Sequence, residues 1–166
     1  MKGQSPQPSP LDTLRCGGPA WLAGWATAVF LPSALIAFTG LSAPARLIGH
    51  GFDHLLGTTW KVADDVGPAA KLLLGLLLAV LLFVSSRLSR LAALPRYLLA
   101  ACAGVAAIIG TLAVIPATLS RGFGIALTGS RFDPTSLPIY IIGGLAAGVA
   151  FEVSLARCNA KAGGRK

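Results

Sequence analysis

Charge is what this 166-residue sequence has least of: six acidic and fourteen basic side chains amount to 12% of the chain, about half the share of an ordinary soluble domain. With hydrophobic residues at 54% and a mean hydropathy of +0.72, that shortage excludes a water-soluble globule. It also excludes a disordered chain, which needs low hydrophobicity. Three cysteines are too few for a secreted disulfide scaffold of this length, and no two of them stand in a CxxC pair. Histidine is scarcer still. His50 and His54 are the whole supply, and neither lies in a long apolar run. The class that remains is an all-α integral membrane protein.

Four apolar runs carry the architecture. Residues 21–41, WLAGWATAVFLPSALIAFTGL, hold no charge, and at about 1.5 Å per residue they cross a hydrocarbon core about 30 Å thick. The second run, 67–86, is nearly pure leucine and valine after Lys71, which is close enough to its end to snorkel toward the headgroups. The third, 97–119, is rich in alanine and glycine. The fourth, 137–157, is interrupted in polarity only by Glu152, and Pro138 suits its first turn. The transmembrane unit is thus expected over 21–157, a four-helix bundle between a flexible tail (1–20) and a basic tail (158–166). The first run is read as a retained span, because it exceeds the roughly 7–15 apolar residues of a cleaved signal.

Counting lysine and arginine sets the orientation. Lys2, Arg15, Arg87, Arg90, Arg96, Arg157, Lys161, Arg165 and Lys166 fall on one side; Arg46, Lys61, Lys71, Arg121 and Arg131 fall on the other, with Asp53, Asp64, Asp65 and Asp133. Both termini are therefore expected in the cytoplasm, and the net charge of +8 reads as a topology signal and an attraction to anionic lipid headgroups, not as a nucleic-acid surface. Cys16 and Cys158 then lie where thiols stay reduced, so no structural disulfide is expected, and Cys102 reads as a small apolar residue within the third span.

The segment after the first span, SAPARLIGHGFDHLLGTTWKVADDVGP, mixes apolar and titratable residues. Leu47, Ile48, Leu55 and Leu56 form an apolar stripe, which predicts a short amphipathic helix lying in the interface from about Pro44 to Leu56, with Trp60 as a belt residue. His50 and His54 are four apart with Asp53 between them, so on a helix both imidazoles share a face and can reach one metal ion. The glycine after His50 stands where a zinc protease needs its glutamate. The plainer reading is a surface helix with solvated histidines, and no cofactor is predicted, haem and metal being the minority alternatives. The glycine-rich stretch SRGFGIALTGSRFDPTSLP after span three matches no phosphate-binding fingerprint.

Inside the spans, Glu152 is the one ionisable residue away from an end, within reach of Arg87 or Arg90 of the neighbouring turn. Helix packing is better signalled. Gly144 and Gly148 form a GxxxG pair in span four, and span three carries Ala100 with Gly104 and Ala106 with Gly110 at the same separation, small residues that let backbones approach. The plain reading is that spans three and four pack on each other; the functional one is a face that docks another subunit.

The stretches LPSALIAFTGLSAPARLIGHGFDHLLGTTW and GPAAKLLLGLLLAVLLF, with Pro44 opening an interfacial helix and Lys71 heading the next span, resemble the membrane-embedded N-terminal region that precedes the periplasmic domain in some bacterial molybdopterin-dependent oxidoreductases. The resemblance covers residues 31–85. It implies an anchor or docking subunit for a separate periplasmic redox protein, and it carries no cofactor ligand across. The sequence as a whole points to a non-catalytic accessory subunit of the bacterial cytoplasmic (inner) membrane, bound to other membrane subunits and to lipid. Two alternatives stand beside it: an oligomeric channel or transporter using Glu152 and Lys71, and a haem- or metal-binding redox subunit using His50 and His54.

Overall fold

The structure, a computed structural model, describes residues 10–39, 52–65, 67–91, 95–114 and 136–163. Among them are five α-helices: α1 (Pro10–Thr39), α2 (Phe52–Asp65), α3 (Pro68–Leu91), α4 (Arg96–Val114) and α5 (Leu137–Gly163). All but α2 contain a stretch long and apolar enough to cross a membrane, namely Arg15–Thr39, Pro68–Ser89, Arg96–Val114 and Leu137–Lys161. The architecture is that of a multi-pass membrane protein, in which helices satisfy their own backbone groups where lipid offers no partner.

Local chemistry explains where these helices begin. Gly67 adopts φ 76°, a left-handed conformation that costs glycine little, and its N–H donates to the Asp64 carbonyl at 3.0 Å, closing the last turn of α2. Pro68 then opens α3 at once, where its missing N–H is no loss. Pro95 and Ser136 start α4 and α5 in turn: the carbonyl of Pro95 accepts from the N–H groups of Leu98 and Leu99, and that of Ser136 from those of Ile139 and Tyr140.

Successive spans run antiparallel, and the packing closes into a ring in the order α1, α5, α4, α3. Leu78, Leu82 and Leu112 are the largest side chains buried entirely, in one apolar cluster with Ile36, Ile108 and Phe151. The closure between α3 and α1 is the sparsest, and two indoles bridge it. Trp21 Nε1 donates to the carbonyl of Gly75 at 3.1 Å, and Trp25 Nε1 to that of Lys71 at 3.0 Å. Each carbonyl accepts a second bond on its spare lone pair. Gly75 makes room for this, since a Cβ there would meet both tryptophan rings at 3.2–3.3 Å.

One helix differs from expectation. α1 begins at Pro10, within the stretch read as a loose tail, because Cys16 and Ala20 are buried and so hold another turn and more of helix against the bundle. Of the interfacial helix expected from about Pro44 to Leu56, residues 44–51 lie outside the described residues; α2 runs Phe52–Asp65, and its buried residues include Thr58, Val62 and Ala63. Thr58 and Val62, four apart, share one helical face.

Candidate functional site

The closest backbone approaches converge on α5, which presents small residues to both neighbours. Toward α4, a Cβ added at Gly104 would collide with the carbonyl oxygen of Gly144, and one at Gly148 with that of Ala100; a Cβ at Gly144 would press on the Val105 backbone at 2.7–2.8 Å. These distances leave no space for any side chain, so the two helices touch main chain to main chain. Gly110 faces elsewhere: the nearest atom to a Cβ there is Leu77 Cδ1, at 3.5 Å on α3. Toward α1, Gly143 receives the ring of Pro32, and Gly24 sits 3.1 Å from the Ala147 carbonyl oxygen and 3.4 Å from Phe151 Cβ by the same construction. The pairs 24 with 147 or 151 and 32 with 143 define an antiparallel register. Carried outward along the two helices, it brings residue 16 opposite residue 158.

Those two positions are cysteines, and the structure joins them. Cys16 and Cys158 form a disulfide with their Cα atoms 5.6 Å apart, bridging 142 residues of sequence. This corrects the expectation that both thiols stay unpaired. The error came from reading each cysteine by its compartment, whereas the helix register decides which side chains meet. The bond also fixes one geometric point: the start of α1 and the end of α5 are at the same end of the bundle. Cys102 lies within α4, as expected, and is exposed.

The ionisable residues are divided between the two ends. Lys71, in the first turn of α3, pairs with Asp64 at the end of α2, Nζ to Oδ1 3.4 Å. The Asp64 side chain is 78% exposed, so this pair contributes little, on the order of 0–1 kcal/mol. Glu152 is toward the other end, on α5, and is 8% exposed. Among the described residues the cation whose field reaches it is Arg96 at the start of α4; of the two expected partners, the Arg87 guanidinium lies over the Phe83 ring of its own helix, 5.1 Å from the centroid, and the Arg90 side chain lies outside the described residues. The structure therefore does not bring Glu152 and Lys71 together.

His50 lies outside the described residues, and of Asp53 and His54 only the helical backbone in α2 is described. Among the described residues no cluster of three histidine, cysteine, aspartate or glutamate side chains could hold a metal ion. A larger feature that the sequence did not signal is a side-opening cavity of about 400 Å³ where α1, α2 and the start of α3 meet, walled by Trp25, Phe30 and Trp60, with Asp64 and Lys71 at its edge. Phe30 and Trp60 stack there with centroids 5.8 Å apart, which helps hold α2 on α1. Comparison with known proteins adds no name to this arrangement: no family model, no curated protein and no solved structure matches the chain.

Proposed function

We propose that the chain is a small, non-catalytic integral membrane subunit of a bacterial cytoplasmic membrane, with both termini inside, that anchors or stabilises a larger membrane complex through the outer faces of its helices. One observation carries this reading. The interior hydroxyls of Ser33, Ser85 and Thr111 each donate to a carbonyl of their own helix. Its outward surface is apolar, with Leu72, Leu76, Val80, Phe83 and Leu88 exposed along α3. A face of that kind suits lipid chains or a partner helix. The lysine and arginine count supports the N-in and C-in orientation, because charge near the spans acts during insertion, before helices pack. In this orientation the Cys16–Cys158 bond lies at the cytoplasmic end, where thiols are kept reduced and a disulfide is transient.

The test is extraction in mild detergent, cross-linking and mass spectrometry of the native assembly. A stoichiometric larger complex, lost when Leu72, Leu76 and Phe83 are replaced together by alanine while the bundle itself still folds, is the expected result. A lone stable monomer contradicts the reading. The transporter reading has one observation of its own, the buried Glu152 with no hydrogen bond or ion pair within 4 Å among the described residues. Ion flux into liposomes that disappears in Glu152→Gln would replace the docking subunit with a transporter.

A further inference from the structure

The side-opening cavity where α1, α2 and the start of α3 meet holds about 400 Å³, within the roughly 300–1,000 Å³ that can enclose most of a small ligand. Its walls are apolar: Trp25, Val29 and Phe30 of α1 face Trp60 and Ala63 of α2. Trp25 Nε1 is already committed to the Lys71 carbonyl, so this indole offers the slot a ring and no donor. Water in such a space finds almost no partner, and cavities of this character take apolar occupants. Residues 25–30 stand in the middle of the stretch of α1 that is long and apolar enough to cross a membrane, Arg15–Thr39. The slot therefore opens at a depth where its surroundings are acyl chains. Its two charged groups stand side by side at the edge. Lys71 Nζ and Asp64 Oδ1 are 3.4 Å apart, looser than the roughly 2.7–2.9 Å of a tight charge-assisted bond, and the contact uses one ammonium hydrogen of three and one carboxylate oxygen of two.

We propose that this slot binds one phospholipid of the ethanolamine type, with an acyl chain between the aromatic walls, the headgroup phosphate on Lys71 Nζ and the primary ammonium donating to the Asp64 carboxylate. The apolar walls select a chain, and the charges at the edge select the headgroup. A lipid whose only charge is its phosphate would bring that charge against Asp64 with nothing to offset it. A choline headgroup carries both charges, but its quaternary nitrogen has no hydrogen to give. Ethanolamine supplies a phosphate for the lysine and an N–H donor for the aspartate, so each edge group gains a charge-assisted partner. The site needs only the membrane spans, and it holds whichever end of the bundle faces the cytoplasm.

The test is native mass spectrometry of the full-length protein, delipidated in detergent and titrated with dioleoyl lipids that differ only in headgroup. One phosphatidylethanolamine should be retained at least about tenfold more tightly than phosphatidylcholine or phosphatidylglycerol, the scale of one hydrogen bond to a charged group. Asp64→Ala should remove the preference over phosphatidylcholine, and Lys71→Gln should weaken retention of all three lipids. Both variants should keep the parent's thermal midpoint, because the ion pair is exposed and Trp25 bonds to the backbone carbonyl of residue 71. In protein carrying Trp21→Phe, so that only Trp25 and Trp60 report, lipid brominated in its acyl chains should quench the fluorescence of the one-lipid complex. Equal retention of the three lipids means a nonspecific lipid coat and overturns the proposal. Tighter phosphatidylglycerol makes the edge an anion site and overturns the headgroup assignment. Retention without quenching places the lipid outside the slot, and lipid-free dimers give the slot to a second copy of the chain; either result contradicts the proposal.

Discussion

The α4/α5 seam and the α3 side of the bundle are built from opposite materials. At the seam Gly104, Gly144 and Gly148 let two backbones touch, with no room for one added carbon. α3 instead buries Leu74, Leu78 and Leu82 inward, exposes Leu72 and Leu76 outward, and leans on two tryptophan hydrogen bonds to reach α1. The difference teaches where specificity resides in a membrane bundle. Apolar bulk gives little preference between protein and lipid, so a leucine face can accept either; a glycine face accepts one partner, because only close contact rewards it.

The comparison yields an ordered set of expected effects. Gly148→Leu should be the most damaging, costing above ~3 kcal/mol and yielding aggregated or polydisperse protein on size exclusion, since backbone atoms of Ala100 and Ala101 block any side chain there. If it folds normally, the seam is not as close as described. Leu78→Ala follows at ~2–5 kcal/mol, from a cavity left at a fully buried position, read as a lowered thermal midpoint. Reduction of the Cys16–Cys158 bond is expected to cost ~2–4 kcal/mol by freeing the long loop it closes. Midpoints measured with and without reductant check this, and Cys16→Ser should abolish the difference. Trp25→Phe removes one brace between α1 and α3 and should cost ~0.5–1.5 kcal/mol. Leu76→Ala, on the outward face and 62% exposed, should change bundle stability by less than ~0.5 kcal/mol. A large loss there would mean that the outer face of α3 is sealed within a tight oligomer even in detergent.

Much of this fold is legible from composition. Four apolar runs of spanning length, and the small-residue spacings in 97–119 and 137–157, are visible without coordinates because the membrane imposes length and the period of the helix imposes spacing. What stays hidden depends on pairing between distant segments. The disulfide is one example: Cys16 and Cys158 meet because Gly24 and Gly143 set the register of α1 against α5, and no local pattern announces it. The burial of Thr58, Val62 and Ala63 on α2 is another, since packing against α1 decides it. Tyr140 is a third. Nothing in its local sequence announces that the packing of α1, α4 and α5 buries it.

A chain that crosses the bilayer four times carries the start of α1 and the end of α5 on one face. Single cysteines introduced by Gln4→Cys, Ala92→Cys and Ser130→Cys, in a background lacking the native three, and tested in intact cells with a membrane-impermeant maleimide, address it directly. Positions 4 and 92 should both be protected until the membrane is permeabilised, while position 130 reacts at once. Labels that place 4 and 92 on opposite faces would contradict the four-span bundle, and labels that expose both while protecting 130 would invert its orientation and make the disulfide a permanent bond of the oxidising side.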